Sequence, residues 1–137
     1  MENRQSIHIP DVPVTETLAQ LAAKPKATLV DVRTRTEWAN VGVPDLKAIG
    51  KDVVLVELTS NPAMGPAPDF VDRVDAALRG LGVAKTDDVY LICRSGARSR
   101  TAAGLMAQAG YQACRNVAGG FEGANGWKAA GLAWKRG

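Results

Sequence analysis

The stretch from residue 89 to residue 110, VYLICRSGARSRTAAGLMAQAG, constrains this chain more than any other. It opens on Val89-Tyr90-Leu91-Ile92, an apolar run rich in β-branched and aromatic residues, too short for a helix and suited to a buried strand. It closes on residues 101–109, mostly good helix formers, with Gly110 where a helix-ending glycine belongs. Between the two lies Cys93-Arg94-Ser95-Gly96-Ala97-Arg98-Ser99. A cysteine therefore sits where a strand ends, on a loop of small residues leading into a helix N-terminus.

That setting changes what a thiol can do. A loop of small residues can curl until successive backbone N–H groups point inward, and the start of a helix adds partial positive charge. Arg94 and Arg98 bring full positive charges close by. All of these favour the thiolate, which is the nucleophilic form. The competing reading, a strand-end cysteine acting as a small hydrophobe, fits poorly with two arginines on a Ser/Gly/Ala loop. Cys93 is accordingly the candidate catalytic residue.

Spacing narrows the reaction. Protein tyrosine phosphatases use a similar strand–loop–helix device with a longer gap between cysteine and arginine, so that the loop encircles a phosphate. At that gap this chain has Ser99, with arginines on either side at 98 and 100. A shorter loop encloses less space and suits a single sulfur atom on the cysteine better than a tetrahedral oxyanion. The segment resembles the active-site loop of rhodanese-like sulfurtransferases, a cysteine followed by a tight turn that ends here at Arg98. A second match lies well upstream, where Asp31-Val32-Arg33 and Glu37-Trp38 resemble the family's Asp-x-Arg and Glu-aromatic signature. The tail, with Gly119-Gly120, Trp127 and Ala130-Gly131, is similar to the family's closing Gly-Gly, Trp and Ala-Gly pattern. Two departures stand out. Val41-Gly42-Val43-Pro44-Asp45 keeps the proline of a common Gly-His-Ile-Pro-Gly turn without its histidine, and Ala133 stands where proline is common.

The resemblance implies a two-step covalent reaction that needs no cofactor and no metal. Cys93 takes the sulfane sulfur of a small anionic donor such as thiosulfate and holds it as a persulfide. A thiol, cyanide or a protein then accepts it. Arg94, Ser95, Gly96, Ala97, Arg98 and Ser99 are the implied substrate-binding loop, their N–H groups holding the outer sulfur and the arginines drawing in the anion. Asp31 and Arg33 are the implied loop supports. Three alternatives stay open, a non-catalytic binding or sulfur-carrier module, a phosphatase, and an arsenate reductase using Cys114 as resolving thiol.

Composition bounds the rest. With 137 residues, 46% of them hydrophobic, the chain suits one domain spanning residues 1–137 with a sizeable core, and is short for two. No run approaches membrane-spanning length, and the polar, proline-interrupted start MENRQSIHIPDVP lacks the apolar centre of a secretory signal, so a cytoplasmic location is expected by default. Two cysteines far apart suggest neither a disulfide framework nor a CxxC pair, and a single histidine makes a zinc site hard to build. The net charge of +3 is mild, and the basic residues gather around Cys93 rather than forming a stripe with interleaved aromatics. Small anions are the expected partners, not nucleic acid or membrane.

Along the chain, residues 6–9 read as a strand ended by Pro10, and Val14, Leu18, Leu21 and Ala22 recur at helical spacing, with Thr15 a possible cap. His8 reads as a packed or surface residue rather than a general base. Residues 27–32 form a second apolar run, after which Thr34 or Thr36 could cap a short helix. Asp31 at the end of a buried strand requires a cation, from its own turn or from the cysteine loop. Residues 53–58 read as a strand, and the Pro- and Gly-rich connector 59–68 as either a wall of the pocket over Cys93 or a spacer. Asp69 should cap a helix with the apolar stripe Phe70, Val74, Ala77, Leu78 and Leu81, stopped by Gly82. Residues 111–117 read as a last strand, Cys114 as a buried structural thiol, and Trp127 and Trp134 as packing residues. Strands alternating with helices imply a three-layer α/β/α domain around a mainly parallel sheet of about five strands, with its site beyond the strands' carboxyl ends.

Overall fold

The computed structural model describes residues 8–137, the side chain of Pro62 apart. In chain order the elements are β1 (Asp11–Pro13), α1 (Val14–Ala23), β2 (Thr28–Asp31), α2 (Arg35–Val41), β3 (Val43–Pro44), β4 (Val54–Leu55), α3 (Phe70–Gly80), β5 (Asp88–Ile92), α4 (Ala97–Gln108), β6 (Ala113–Ala118) and β7 (Trp134–Lys135). Short 3-10 turns lie at Lys47–Ile49 and Pro62–Met64. Five strands form one sheet in the order β1-β6-β5-β2-β4, every neighbouring pair parallel, while β3 and β7 make a small antiparallel pair. No helix among the described residues is long and apolar enough to cross a membrane.

Side chains of successive strand residues point to opposite faces, so each central strand feeds two cores. Val30, Val89, Leu91 and Cys93 meet Phe70, Val74 and Leu78 of α3 and Ala102, Ala103 and Met106 of α4. Leu29, Tyr90, Ile92 and Val117 meet Val14 and Leu21 of α1, together with Phe121 and Trp127 of the tail. Burial on both faces explains why these strands read as continuous apolar runs rather than alternating ones. The result is an α/β fold of three layers.

Several local expectations need correction. The expected strand at residues 6–9 begins outside the described residues, and His8 and Ile9 are not strand; pairing starts just past Pro10. Helix α1 follows Pro13 with no side-chain cap, so Thr15 lies inside it. Asp69 holds the N-cap position of α3, yet its carboxylate sits 3.3 Å from Arg73 Nε and caps no amide. Leu81 leaves the apolar stripe and is 53% exposed, because the chain turns at Gly82 (φ 74°) before that side chain reaches the core. The strand expected at 53–58 is regular only at Val54–Leu55, although the N–H groups of Val56 and Leu58 go on donating to Asp31 O and Val32 O. Trp127 is buried and donates its Nε1–H to Ala133 O at 2.7 Å, whereas Trp134 is half-exposed on β7, under Lys128 Nζ.

Two helix starts position the cysteine loop. Helix α2 opens on a capping box, in which Thr34 Oγ1 accepts from the Glu37 N–H and Glu37 Oε1 accepts from the Thr34 N–H. Helix α4 begins at Ala97 rather than at Thr101, so Arg98 and Ser99 belong to its first turn.

Candidate active site

Parallel pairing of β2 with β5 sets Asp31 beside Ile92, and the next residue is Cys93. The two sequence signatures thus meet at the carboxyl ends of neighbouring strands, where open α/β sheets place their sites.

The cation that Asp31 requires comes from its own turn. Asp31 and Arg33 are both fully buried; Arg33 donates to the carboxylate from its backbone N–H at 3.0 Å, from Nε at 3.0 Å and from Nη2 at 2.7 Å. Nη2 also donates to Gly42 O, and the guanidinium lies 4.2 Å from the centre of the Phe121 ring. This fork-and-stack geometry suits arginine and not lysine. Residues far apart in sequence are thereby fixed around the end of β2.

A second ion pair supports the cysteine loop itself. Arg98 Nη1 and Nη2 donate to the two oxygens of Glu37 at 2.8 and 2.9 Å. Burial pushes the Glu37 carboxyl up, but the bonds from Arg98 and from the Thr34 N–H outweigh it and bring the group down to about 2. The same pair raises Arg98 above its ordinary value, chiefly through the Glu37 bond. Arg94 is mostly exposed, with Nε 3.7 Å from Glu122 Oε2, and Ser95 and Ala97 lie at the surface.

Cys93 itself is 1% exposed, yet its sulfur does not face only hydrocarbon. Sγ accepts the Gly96 N–H at 3.1 Å and has Ser99 Oγ at 3.2 Å. Gly96 has φ 118°, the left-handed region that favours glycine, and this turn aims its amide at the sulfur. Of the loop's N–H groups, the Gly96 one bonds the thiol in this state.

Two contributors have no site role assigned from the sequence. The first is Asn116 on β6, 3% exposed and paired in register with Leu91. Its Oδ1 lies 2.5 Å from Ser99 Oγ, and its Nδ2 donates to Gly96 O and Asp11 Oδ1. An uncharged polar residue beside Val117 in a strand expected to be buried was the available signal. The second is the glycine pair of the tail. Phe121 N–H donates to Cys93 O at 2.8 Å and Glu122 N–H to Arg94 O at 2.9 Å, so the tail runs against the back of the loop. A Cβ on Gly120 would stand 2.5 Å from Arg94 O and 2.6 Å from Cys93 O, and Gly120 has φ 59°.

The other candidates fall elsewhere. Leu58, Thr59, Gly65 and Pro66 line a hollow of ≈ 230 Å³ against Ala97, Arg98 and Thr101, so the 59–68 connector walls the first turn of α4. The Cys93 side chain does not line that hollow. Cys114 pairs in register with Val89, about 13 Å of strand before Cys93. Burial pushes its thiol up to about 11. His8 is exposed and lines a hollow with Tyr111 and Cys114, away from the Cys93 loop.

Known proteins are similar to this chain in sequence and fold. The family described as STR4 middle domain matches residues 12–137. The crystal structure of Rv0390 from M. tuberculosis is similar with a TM-score of 0.81 and 36% identity, over 96% of this chain and 100% of that one. A protein named sulfurtransferase from Allochromatium vinosum is 30% identical over 78% of this chain and 80% of its own length. The rhodanese-like domain of Alr3790 from Anabaena shares the fold at a TM-score of 0.65 and 22% identity, over 93% of this chain and 80% of that one.

Proposed function

The chain belongs to the rhodanese-like family, and from that premise we propose that it moves sulfane sulfur from a donor to a thiophilic acceptor through a persulfide on Cys93. The observation that carries this reading is the Gly96 N–H aimed at Cys93 Sγ from a left-handed turn, within a loop braced on both sides.

In the first step the Cys93 thiolate attacks the outer sulfur of a small anionic donor such as thiosulfate. A sulfur–sulfur bond forms to Sγ, the donor's own sulfur–sulfur bond breaks, and sulfite leaves with the electron pair. In the second step cyanide, a thiol or a protein thiolate attacks the outer sulfur of the persulfide, and the electron pair of the broken bond returns to Sγ. Negative charge appears on sulfur at every stage, so preorganised donors matter more than a general base. The N–H groups of residues 94–99 serve that charge, with Gly96 nearest the sulfur. Exposed Arg94 is the cation best placed to meet an incoming anion, while Arg98 acts on the loop through Glu37. Asp31 and Arg33 hold the strand end on which the loop rests. Both cysteines are free thiols, the state that a reducing cytoplasm keeps, and this reading assigns the protein there.

The test is thiocyanate formation from thiosulfate and cyanide. The wild-type protein should produce it and Cys93→Ser should not; equal rates in the two would overturn the proposal. A second reading, a sulfur carrier that loads and delivers slowly, draws on the near-complete burial of the Cys93 side chain. A carrier would take up one sulfur without sustained turnover.

A further inference from the structure

Ser99 Oγ stands between two partners, 3.2 Å from Cys93 Sγ and 2.5 Å from Asn116 Oδ1. A hydroxyl carries one proton and can donate to one of them at a time. The Asn116 amide cannot reverse to resolve the conflict. Its Nδ2 donates to Asp11 Oδ1 at 2.9 Å and to Gly96 O at 3.2 Å, and reversal would set its oxygen against both. Two oxygens 2.5 Å apart need a proton between them, so the Ser99 proton lies on the Asn116 side and the sulfur meets a lone pair. A thiol satisfies that lone pair with its own proton. A thiolate has none to give.

We propose that Asn116 is a positioning residue that acts through Ser99, holding the hydroxyl proton away from Cys93 and disfavouring negative charge on Sγ relative to the outer sulfur of a persulfide. Ionisation breaks the S–H bond, leaves the electron pair on Sγ and passes the proton to water. The thiolate then gains the Ser99 proton only by breaking the short Ser99–Asn116 bond. In a persulfide Sγ is bonded to a second sulfur and uncharged, the charge sits on the outer atom, and the Ser99–Asn116 bond stays closed. Asn116 thus tilts Cys93 towards holding sulfur, against the Gly96 N–H, which favours charge on Sγ itself. The inference rests on the sulfurtransfer reading for its purpose, but its test does not.

Among the described residues, four ion pairs surround the loop. Asp31 meets Arg33 at the end of β2, Glu37 of α2 meets Arg98 of α4, Asp11 of β1 meets Arg100 of α4, and Arg94 lies near Glu122 of the tail. Alkylation read on the Cys93 peptide follows the thiolate, which is the form that reacts, so its pH midpoint reports that thiol.

The experiment is the pH dependence of iodoacetamide alkylation of the reduced full-length protein, read on the Cys93 peptide by mass spectrometry. Asn116→Leu should lower the midpoint by about one pH unit, because the freed hydroxyl then donates to the thiolate. Ser99→Ala should not raise it, since in the wild type that proton does not serve the sulfur. Adding Asn116→Leu to Ser99→Ala should change nothing further. A raised midpoint in Ser99→Ala overturns the proposal, and that arm decides even if Asn116→Leu fails to fold. An unchanged or raised midpoint in Asn116→Leu, or a shift that survives in the Ser99→Ala background, overturns it too. Absence of any persulfide after thiosulfate treatment would sink the sulfurtransfer reading instead and leave these midpoints standing.

Discussion

Glu37 takes both terminal nitrogens of Arg98, at 2.8 and 2.9 Å, and so ties the start of α2 to the first turn of α4. The same carboxylate closes the α2 capping box, so one side chain fixes the helix that follows β2 and the helix that follows the cysteine loop. The loop is held from a third side by the tail, through the bonds from Phe121 and Glu122.

Acid should weaken this brace. Glu37 is brought down to about 2 in the folded protein, below its ordinary value of 4.5, so its contribution is full above that ordinary value and is lost as pH falls towards 2. Urea unfolding should show Glu37→Gln less stable than the wild type near neutral pH by on the order of 2 kcal/mol, allowing for solvent screening. That difference should shrink as pH falls through about 2 and vanish below it. A pH-independent difference would contradict the assignment.

Gly120→Ala should displace the cysteine loop without unfolding the sheet. The added methyl meets the backbone of Cys93 and Arg94, and alanine is strained at φ 59°. The expected result is a wild-type far-ultraviolet circular dichroism spectrum with sulfur uptake reduced at least about tenfold, since small misplacements at a site carry large rate costs. Unchanged uptake would show that the tail does not shape the loop.

The strand carrying Cys93 was legible because burial on both faces leaves an uninterrupted apolar run, and Asp31 announced an ion pair because a buried strand end tolerates no lone carboxylate. The start of α4 was not legible, since Gly96 offers no side chain to cap the helix and Ala97 looks like loop. Strand β1 was hidden between prolines; it lies at the sheet edge, where Pro13 removes a donor at little cost. Glu37 stood out only as part of the Glu-aromatic signature, because nothing local in sequence points from it to Arg98. Asn116 and Gly120 act on a loop distant in sequence, and only the parallel pairing of β5 with β6 and the return of the tail bring them there.

Arg33→Ala should be among the most damaging single changes outside the loop. It leaves the buried Asp31 carboxylate unpaired and empties the space against Phe121, at a cost of about 3–5 kcal/mol in urea unfolding. Arg33→Lys should recover only part of that, lacking the planar fork. A loss under about 1 kcal/mol for Arg33→Ala would contradict a supporting role for the pair.

Cys114→Ala should leave sulfur uptake intact and cost about 1 kcal/mol of stability. The Cys114 thiol is buried and pushed up to about 11, and it sits far back along the strands from Cys93. Loss of turnover in this variant, with the fold retained, would favour the resolving-thiol alternative.

The most direct test of a sulfur-carrying Cys93 is the mass of the intact protein after incubation with thiosulfate. One added sulfur atom, about 32 Da, should appear in the wild type, be absent in Cys93→Ser and be removed by cyanide. An unchanged mass in the wild type, or the same gain in Cys93→Ser, would contradict the account.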